Sequence, residues 1–272
     1  MTADSGSASS TRVYALRYAQ RADMRRGEHF FASPVRTDER MPLSYFVWLV
    51  MTADATVVFD AGMRSHAARR RPGARELRES PIALLARLGV SPEAVDVVVL
   101  SHLHFDHTGF ALAFPRARVL VQRRELAHWT ALMAETPDGE APGGPDAIEA
   151  ADVVDLANRI RAGRVQVLDG DALVCPGVSA HLIGGHTPGL QALRVEHPGG
   201  VVVLASDACH FFENIERHVP HRTALDPDGM LRGYARLEEL AGPGGVVVPG
   251  HDPAVMTRFC PCEVSADIAR IA

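Results

Sequence analysis

The chain has 272 residues, 47% of them hydrophobic and 22% charged, with a formal net charge of −5. That length supports one large domain with a substantial core, or two small ones, and the acidic balance argues against nucleic acid, whose binding leans on clustered Lys and Arg. No run of about 18 apolar residues is present, so no membrane span is expected.

The first ten residues are small and polar and lack the basic start and apolar stretch of a secretory signal. Residues 1–11 are expected to form a disordered tail, with a single domain over 12–272. Residues 13–18 read as the first strand. Residues 19–42 show little periodicity; Met24, Phe30, Phe31 and Met41 stand among charges, as in a loop laid over a pocket or packed on a sheet edge. Residues 43–50 and Thr56–Phe59 are β-branched and aromatic runs joined by a short polar turn, a hairpin signal. Asp60 follows, either as a turn residue or as a carboxylate bracing a metal ligand. The six arginines Arg64, Arg69, Arg70, Arg71, Arg75 and Arg78 read as a solvated face more readily than as an anion site. Ser80-Pro81 opens a helix that runs through Leu88 and is closed by Gly89.

Residues 95–100 are near-continuously apolar, as in a buried strand. The chain then reads Ser101-His102-Leu103-His104-Phe105-Asp106-His107-Thr108-Gly109, an HxHxDH pattern. Histidine and carboxylate are the ligand types that suit zinc and other borderline divalent metals. In extended backbone, residues two apart point the same way. His102, His104 and Asp106 are then expected to converge, and His107 to project toward a possible second metal. Strands are expected at 118–122, 165–168, 173–175, 178–183, 191–195, 201–205 and 245–248. Helices are expected at 124–133, with Leu126, Trp129, Leu132 and Met133 on one side, at 147–160, and from Asp226-Pro227 to about Leu240. Residues 135–144, rich in Gly, Pro and acid, read as a loop or the mouth of a lid. Strands preceding helices in each half suggest two β-rich halves packed face to face with helices outside. Cys175, Cys209, Cys260 and Cys262 fit no disulfide framework and read as reduced thiols of a cytoplasmic protein.

Three further metal-ligand types stand just past the ends of apolar strands, where functional groups collect. His186 follows Ile183-Gly184-Gly185, Asp207 follows residues 201–206, and His251 follows Val246-Val247-Val248-Pro249-Gly250. HxHxDH, a Gly-Gly-His-Thr-Pro-Gly segment, Ser-Asp after a strand and a late Gly-His together resemble the metallo-β-lactamase superfamily. Asp60-Ala61-Gly62 resembles its early Asp-x-Gly element. The resemblance covers roughly residues 13–255 and implies an α+β fold, a four-layer αβ/βα sandwich with the site at one edge of the two sheets. It places one metal on His102, His104 and His186, a second on Asp106, His107 and His251, and Asp207 between them. Two divalent metal ions, zinc by default with iron, manganese or cobalt as fits, would then share a bridging hydroxide.

The chemistry implied is hydrolysis of a lactone, ester, thioester or amide, with Asp106 shuttling a proton to the leaving alkoxide. Within the superfamily the chain is most similar to the N-acyl-homoserine lactonase group, so a small lactone or ester is the expected partner. That group carries a tyrosine three residues after the bridging aspartate; here the position is His210, which can donate one hydrogen bond but titrates near neutrality. A glyoxalase II-like thioesterase or another carboxylic-ester hydrolase, and after these a non-enzymatic metal-binding protein, are the alternatives. A homodimer is possible, with apolar residues of 24–48 serving a partner subunit instead of a substrate.

Overall fold

The computed structural model describes residues 11–31, 37–137, 140–144 and 147–272. The expected tail therefore lies outside the described residues except for Thr11, which is buried. Among the described residues two sheets face each other. The larger runs, edge to edge, through Cys260–Cys262, Ser265–Arg270, Arg12–Arg21, Leu43–Met51, Thr56–Phe59, Val97–Val99, Arg118–Gln122 and Val165–Leu168. The smaller runs through Val246–Pro249, Gly200–Ser206, Gln191–His197, Val178–Leu182 and Ala172–Cys175.

Alternation along the first strands divides the core into layers. Val13, Ala15, Phe46, Trp48 and Phe59 point between the sheets, where they meet Val178, Leu193, Val202 and Leu204. Leu16, Tyr18, Val47, Leu49 and Val58 point the other way, under the helices Pro81–Arg87, Arg123–Glu135 and Ala150–Arg161. The helix Pro227–Ala241 covers the outer face of the smaller sheet through Met230, Tyr234 and Leu237. Both faces of each sheet are thus buried, which is why the strands read as apolar runs. The result is the αβ/βα sandwich expected.

Helix starts obey local chemistry. Ser80 Oγ accepts from the Ala83 amide at 3.2 Å, with Pro81 next in the chain. The Asp226 carboxylate accepts from the Gly229 amide at 2.9 Å.

Three expectations need correction. The motif is not extended throughout: Phe105–Thr108 form one helical turn, so Asp106 and His107 swing away from His102 and His104 together. The arginine-rich segment is not simply a solvated face. Ser65–Arg70 is helical, and Arg71 is buried, pairing with Glu149 and lying 3.8 Å over the Phe105 ring. The C-terminal strands escaped the pattern because Ser265–Arg270 has small residues and a single large apolar one, Ile268; it is held by pairing with the first strand (Leu16↔Ile268).

Parallel pairing positions the site. Val57↔Val97 and Phe59↔Val99 bring the ends of those strands to one rim. In the other sheet, Val202↔Val246 and Ser206↔Pro249 do the same. Asp60, Ser101, Asp207 and His251 therefore leave their sheets side by side.

Candidate metal centre

At this rim the donor atoms fall into two groups. In the first, His102 Nε2, His104 Nδ1 and His186 Nε2 lie 2.9–3.2 Å from one another. Asp207 Oδ2 faces them, 3.4 Å from His186 Nε2 and 3.9 Å from His102 Nε2. In the second, Asp106 Oδ2 is 3.6 Å from His107 Nε2 and 3.9 Å from His251 Nε2. Asp207 Oδ1 faces this pair at 3.3 and 3.0 Å. One oxygen of Asp207 thus addresses each group.

The opposite ring nitrogens are held by the protein, which fixes each ring's orientation. His107 Nδ1 donates to Asp60 Oδ2 at 2.8 Å, and His251 Nδ1 donates to the Ser44 carbonyl at 2.8 Å. Ser101 Oγ lies 2.9 Å from His102 Nδ1. Asp60 is fully buried and, at φ 62°, in the left-handed region that few residues other than Gly, Asn and Asp adopt. Its other oxygen accepts from the Ser101 amide at 2.8 Å, and Ser206 Oγ donates to Oδ2 at 2.8 Å. Asp60 is therefore a brace that ties His107 to the start of the motif and to the residue before Asp207. The turn closes tightly: a Cβ at Gly109 would stand 2.8 Å from the backbone of Gly62 and Arg64. Asp60→Asn is expected to weaken metal retention or activity about 10- to 100-fold, measurable as metal content after dialysis and as kcat/KM.

The electrostatics of the two groups differ. Burial pushes His102 and His186 well below the usual imidazole range and His104 down to about 4. These three are neutral at neutral pH, the form in which imidazole binds a metal. Burial also opposes a charge on His107 and His251, but the facing carboxylates outweigh it. Asp60, Asp106 and Asp207 raise His107, and Asp207 and Asp106 raise His251. Against burial, the surrounding histidines hold Asp207 well below the carboxylate range. This half of the site demands positive charge.

Among the described residues, the buried side-chain atoms without a hydrogen-bond partner include His107 Nε2 and Asp207 Oδ1, the pair at 3.3 Å. A buried polar atom left unpaired costs about 1–3 kcal/mol. Two such atoms facing each other in a ring of His and Asp donors fit a cation between them, and the residues are positioned for metal binding.

All seven expected ligands are brought together. His210 lies against them: its Nε2 is 3.0 Å from Asp207 Oδ2, and its ring stacks on His221 at 3.5 Å and 8°. Burial lowers both imidazoles. His221 escaped the sequence reading because it sits in an irregular loop; its Nε2 donates to the Asp207 carbonyl at 2.9 Å. Glu125 also escaped. It is fully buried in the helix Arg123–Glu135 and accepts from the Leu103 amide (3.0 Å), Trp129 Nε1 (2.7 Å), Thr187 Oγ1 (2.7 Å) and the Gly189 amide (2.9 Å). It pins the residue between His102 and His104 to those just after His186. A polar residue at a core position of that helix, beside Leu126 and Trp129, was the available signal.

Above the candidate metal centre lies a cavity of about 540 Å³ whose walls include Phe105, Trp129, Leu132 and Leu225. Met24, Leu43 and Tyr45 also line it, so part of the 24–48 segment faces the cavity. Phe46 and Trp48 are instead buried between the sheets.

The metallo-β-lactamase superfamily model matches residues 37–251. An N-acyl homoserine lactonase of a Bacillus species is 28% identical over 235 residues, 81% of this chain and 86% of that protein. One from Bacillus thuringiensis is 32% identical over 173 residues, 63% of this chain and 61% of that protein. A solved N-acyl homoserine lactone hydrolase, with the product N-hexanoyl-L-homoserine at its catalytic metal centre, superposes with a TM-score of 0.72 at 24% identity. The superposition covers 92% of this chain and 96% of that one, a likeness of fold. With the family pattern running across both sheets and through every strand end that carries a donor, the chain belongs to the metallo-β-lactamase superfamily.

Proposed function

We propose that this chain is a metal-dependent hydrolase that opens a lactone ring, an N-acyl-homoserine lactone or a related small lactone, with two divalent ions per chain. The observation that carries the reading is Asp207, whose two carboxylate oxygens face the two donor groups separately. The relatives named N-acyl homoserine lactonase support the substrate class. His102, His104 and His186 would hold one ion, Asp106, His107 and His251 the other, and Asp207 both. The mixed N and O donors suit zinc. Bound there, such ions supply Lewis-acid polarisation of the ester carbonyl and a lowered pKa for water.

The chain's own groups do the rest. Phe105, Trp129, Leu132 and Leu225 offer the acyl part an apolar wall and exclude water from it. Asp106, lining the cavity beside His107 and His251, is placed to carry a proton to the leaving alkoxide. His210 also lines the cavity and holds Asp207 Oδ2 at 3.0 Å; the one N–H of its neutral ring is spent on that carboxylate, which it orients toward the substrate side of the site. His210→Ala is expected to cut kcat about 10- to 100-fold, with His210→Tyr recovering part of it, read by steady-state kinetics on one lactone. The four cysteines are free thiols, which fits a reducing, cytoplasmic setting; no helix among the described residues is long and apolar enough to cross a membrane.

The reading is tested by assaying lactones of graded acyl length beside acyl thioesters. Lactone opening with kcat/KM at least tenfold above the thioesters is expected. Thioester preference would move the assignment to the glyoxalase II-like class, and turnover of neither would remove it.

A further inference from the structure

The cavity over the metal centre does not end at its apolar wall. His128 and Leu225 line it and also line a second cavity of about 730 Å³, so the two adjoin along a shared seam. Beyond that seam the lining is cationic, with Arg124, Arg232 and Arg236. On the near side Arg21, Arg75 and Arg222 line the first cavity. This concentration of guanidinium groups stands in a chain of net charge −5. Apart from Asp106 and Asp207 at the metal centre, the carboxylate lining either cavity among the described residues is Asp226.

Several of these arginines have partners. Arg21 pairs with Asp23, Arg232 with Asp226, and Arg236 with Asp171 and Glu239. Each of those carboxylates is exposed, so the pairs are screened by water and neutralise weakly. Arg124 and Arg222 have no carboxylate partner among the described residues. Both flank the seam. Arg124 precedes His128 by four residues on the helix Arg123–Glu135, hence on the same face. Arg222 precedes Leu225 by three, and its Nε donates to the Phe30 carbonyl at 2.9 Å, which ties the side chain down.

We infer that the preferred substrate carries an oxyanion, a carboxylate or phosphate, at the end remote from the scissile ester. Its chain crosses the His128–Leu225 seam, Arg222 meets it at the crossing, and Arg124 holds the anionic end in the second cavity. A guanidinium fork suits such groups in both charge and geometry. This rests on the lactonase reading and narrows its substrate class.

Two lactones of equal chain length, one ending in methyl and one in carboxylate, test it, together with their ring-opened hydroxy acids. With the zinc-loaded protein at low ionic strength, the carboxylate-ended lactone is expected to show about tenfold higher kcat/KM, and the advantage to shrink as salt is raised. Arg124→Gln and Arg222→Gln should each lower the ratio of the two kcat/KM values several-fold, through KM for the carboxylate-ended compound. Equal or better turnover of the methyl-ended lactone overturns the inference, as does an unchanged ratio in both variants. If neither lactone opens, the lactonase reading fails separately, and binding of the hydroxy acids decides. A Kd about tenfold lower for the doubly charged acid sustains the anion site, and equal Kd values overturn it.

Discussion

Asp207→Ala is expected to abolish lactone hydrolysis, lowering kcat/KM by about a thousandfold or more, and to leave the protein with less metal. Among the described residues, this side chain is the one group that addresses both donor sets. On the proposed assignment, losing its carboxylate would remove a ligand from each set, and it leaves the His102 and His107 rings, their centroids 4.2 Å apart, without the negative charge beside them. Metal catalysis of this kind is worth several kcal/mol; about 4 kcal/mol corresponds to about three orders of magnitude. Metal analysis after gel filtration and steady-state kinetics check the two halves of the expectation. A variant that keeps its full metal content and more than a tenth of its activity would contradict the role assigned to Asp207.

Glu125→Gln is expected to cost about 1–3 kcal/mol of stability. With its amide nitrogen turned toward Thr187, whose hydroxyl can rotate to accept, the new side chain still meets the Gly189 amide donor to donor. Burial already raises this carboxyl, and four donors support its ionised form. Total stability of a domain is of order 5–15 kcal/mol, so the midpoint of unfolding in denaturant should fall markedly. The effect should not stop at stability. Because Glu125 holds both Leu103 and Gly189, the distance between the HxH segment and His186 depends on it. Below the unfolding transition the variant should also bind metal more weakly than the parent, which a purely structural substitution elsewhere in the helix would not do. Equal metal affinity in a destabilised variant would reduce Glu125 to a packing role.

Much of the candidate site was legible because its His and Asp donors follow buried strands. An apolar run that ends in His or Asp announces both a strand and its exit, and His102, Asp207 and His251 all follow that form. Parallel pairing then brings the exits together, so four short segments far apart in the chain become one rim. The local path of the motif was less legible. Side-chain alternation holds through His104 and breaks at Phe105, where a helical turn sends Asp106 and His107 to the other donor group; residue types alone carry no mark of that break. Glu125 and His221 were illegible for a related reason. Each acts through hydrogen bonds to backbone or ligands from another part of the chain, and neither stands in a run that sets it apart. Arg71 shows the same limit: one arginine among six is buried because Phe105 and Glu149 arrive from elsewhere.

Ring opening, as proposed, needs a paired metal site. Zinc titrated into metal-free protein, with lactone opening followed at each addition, measures that need. Negligible turnover is expected before addition, then a rise that levels off at about two ions per chain. Undiminished lactone opening by the metal-free protein would show that the metal is dispensable.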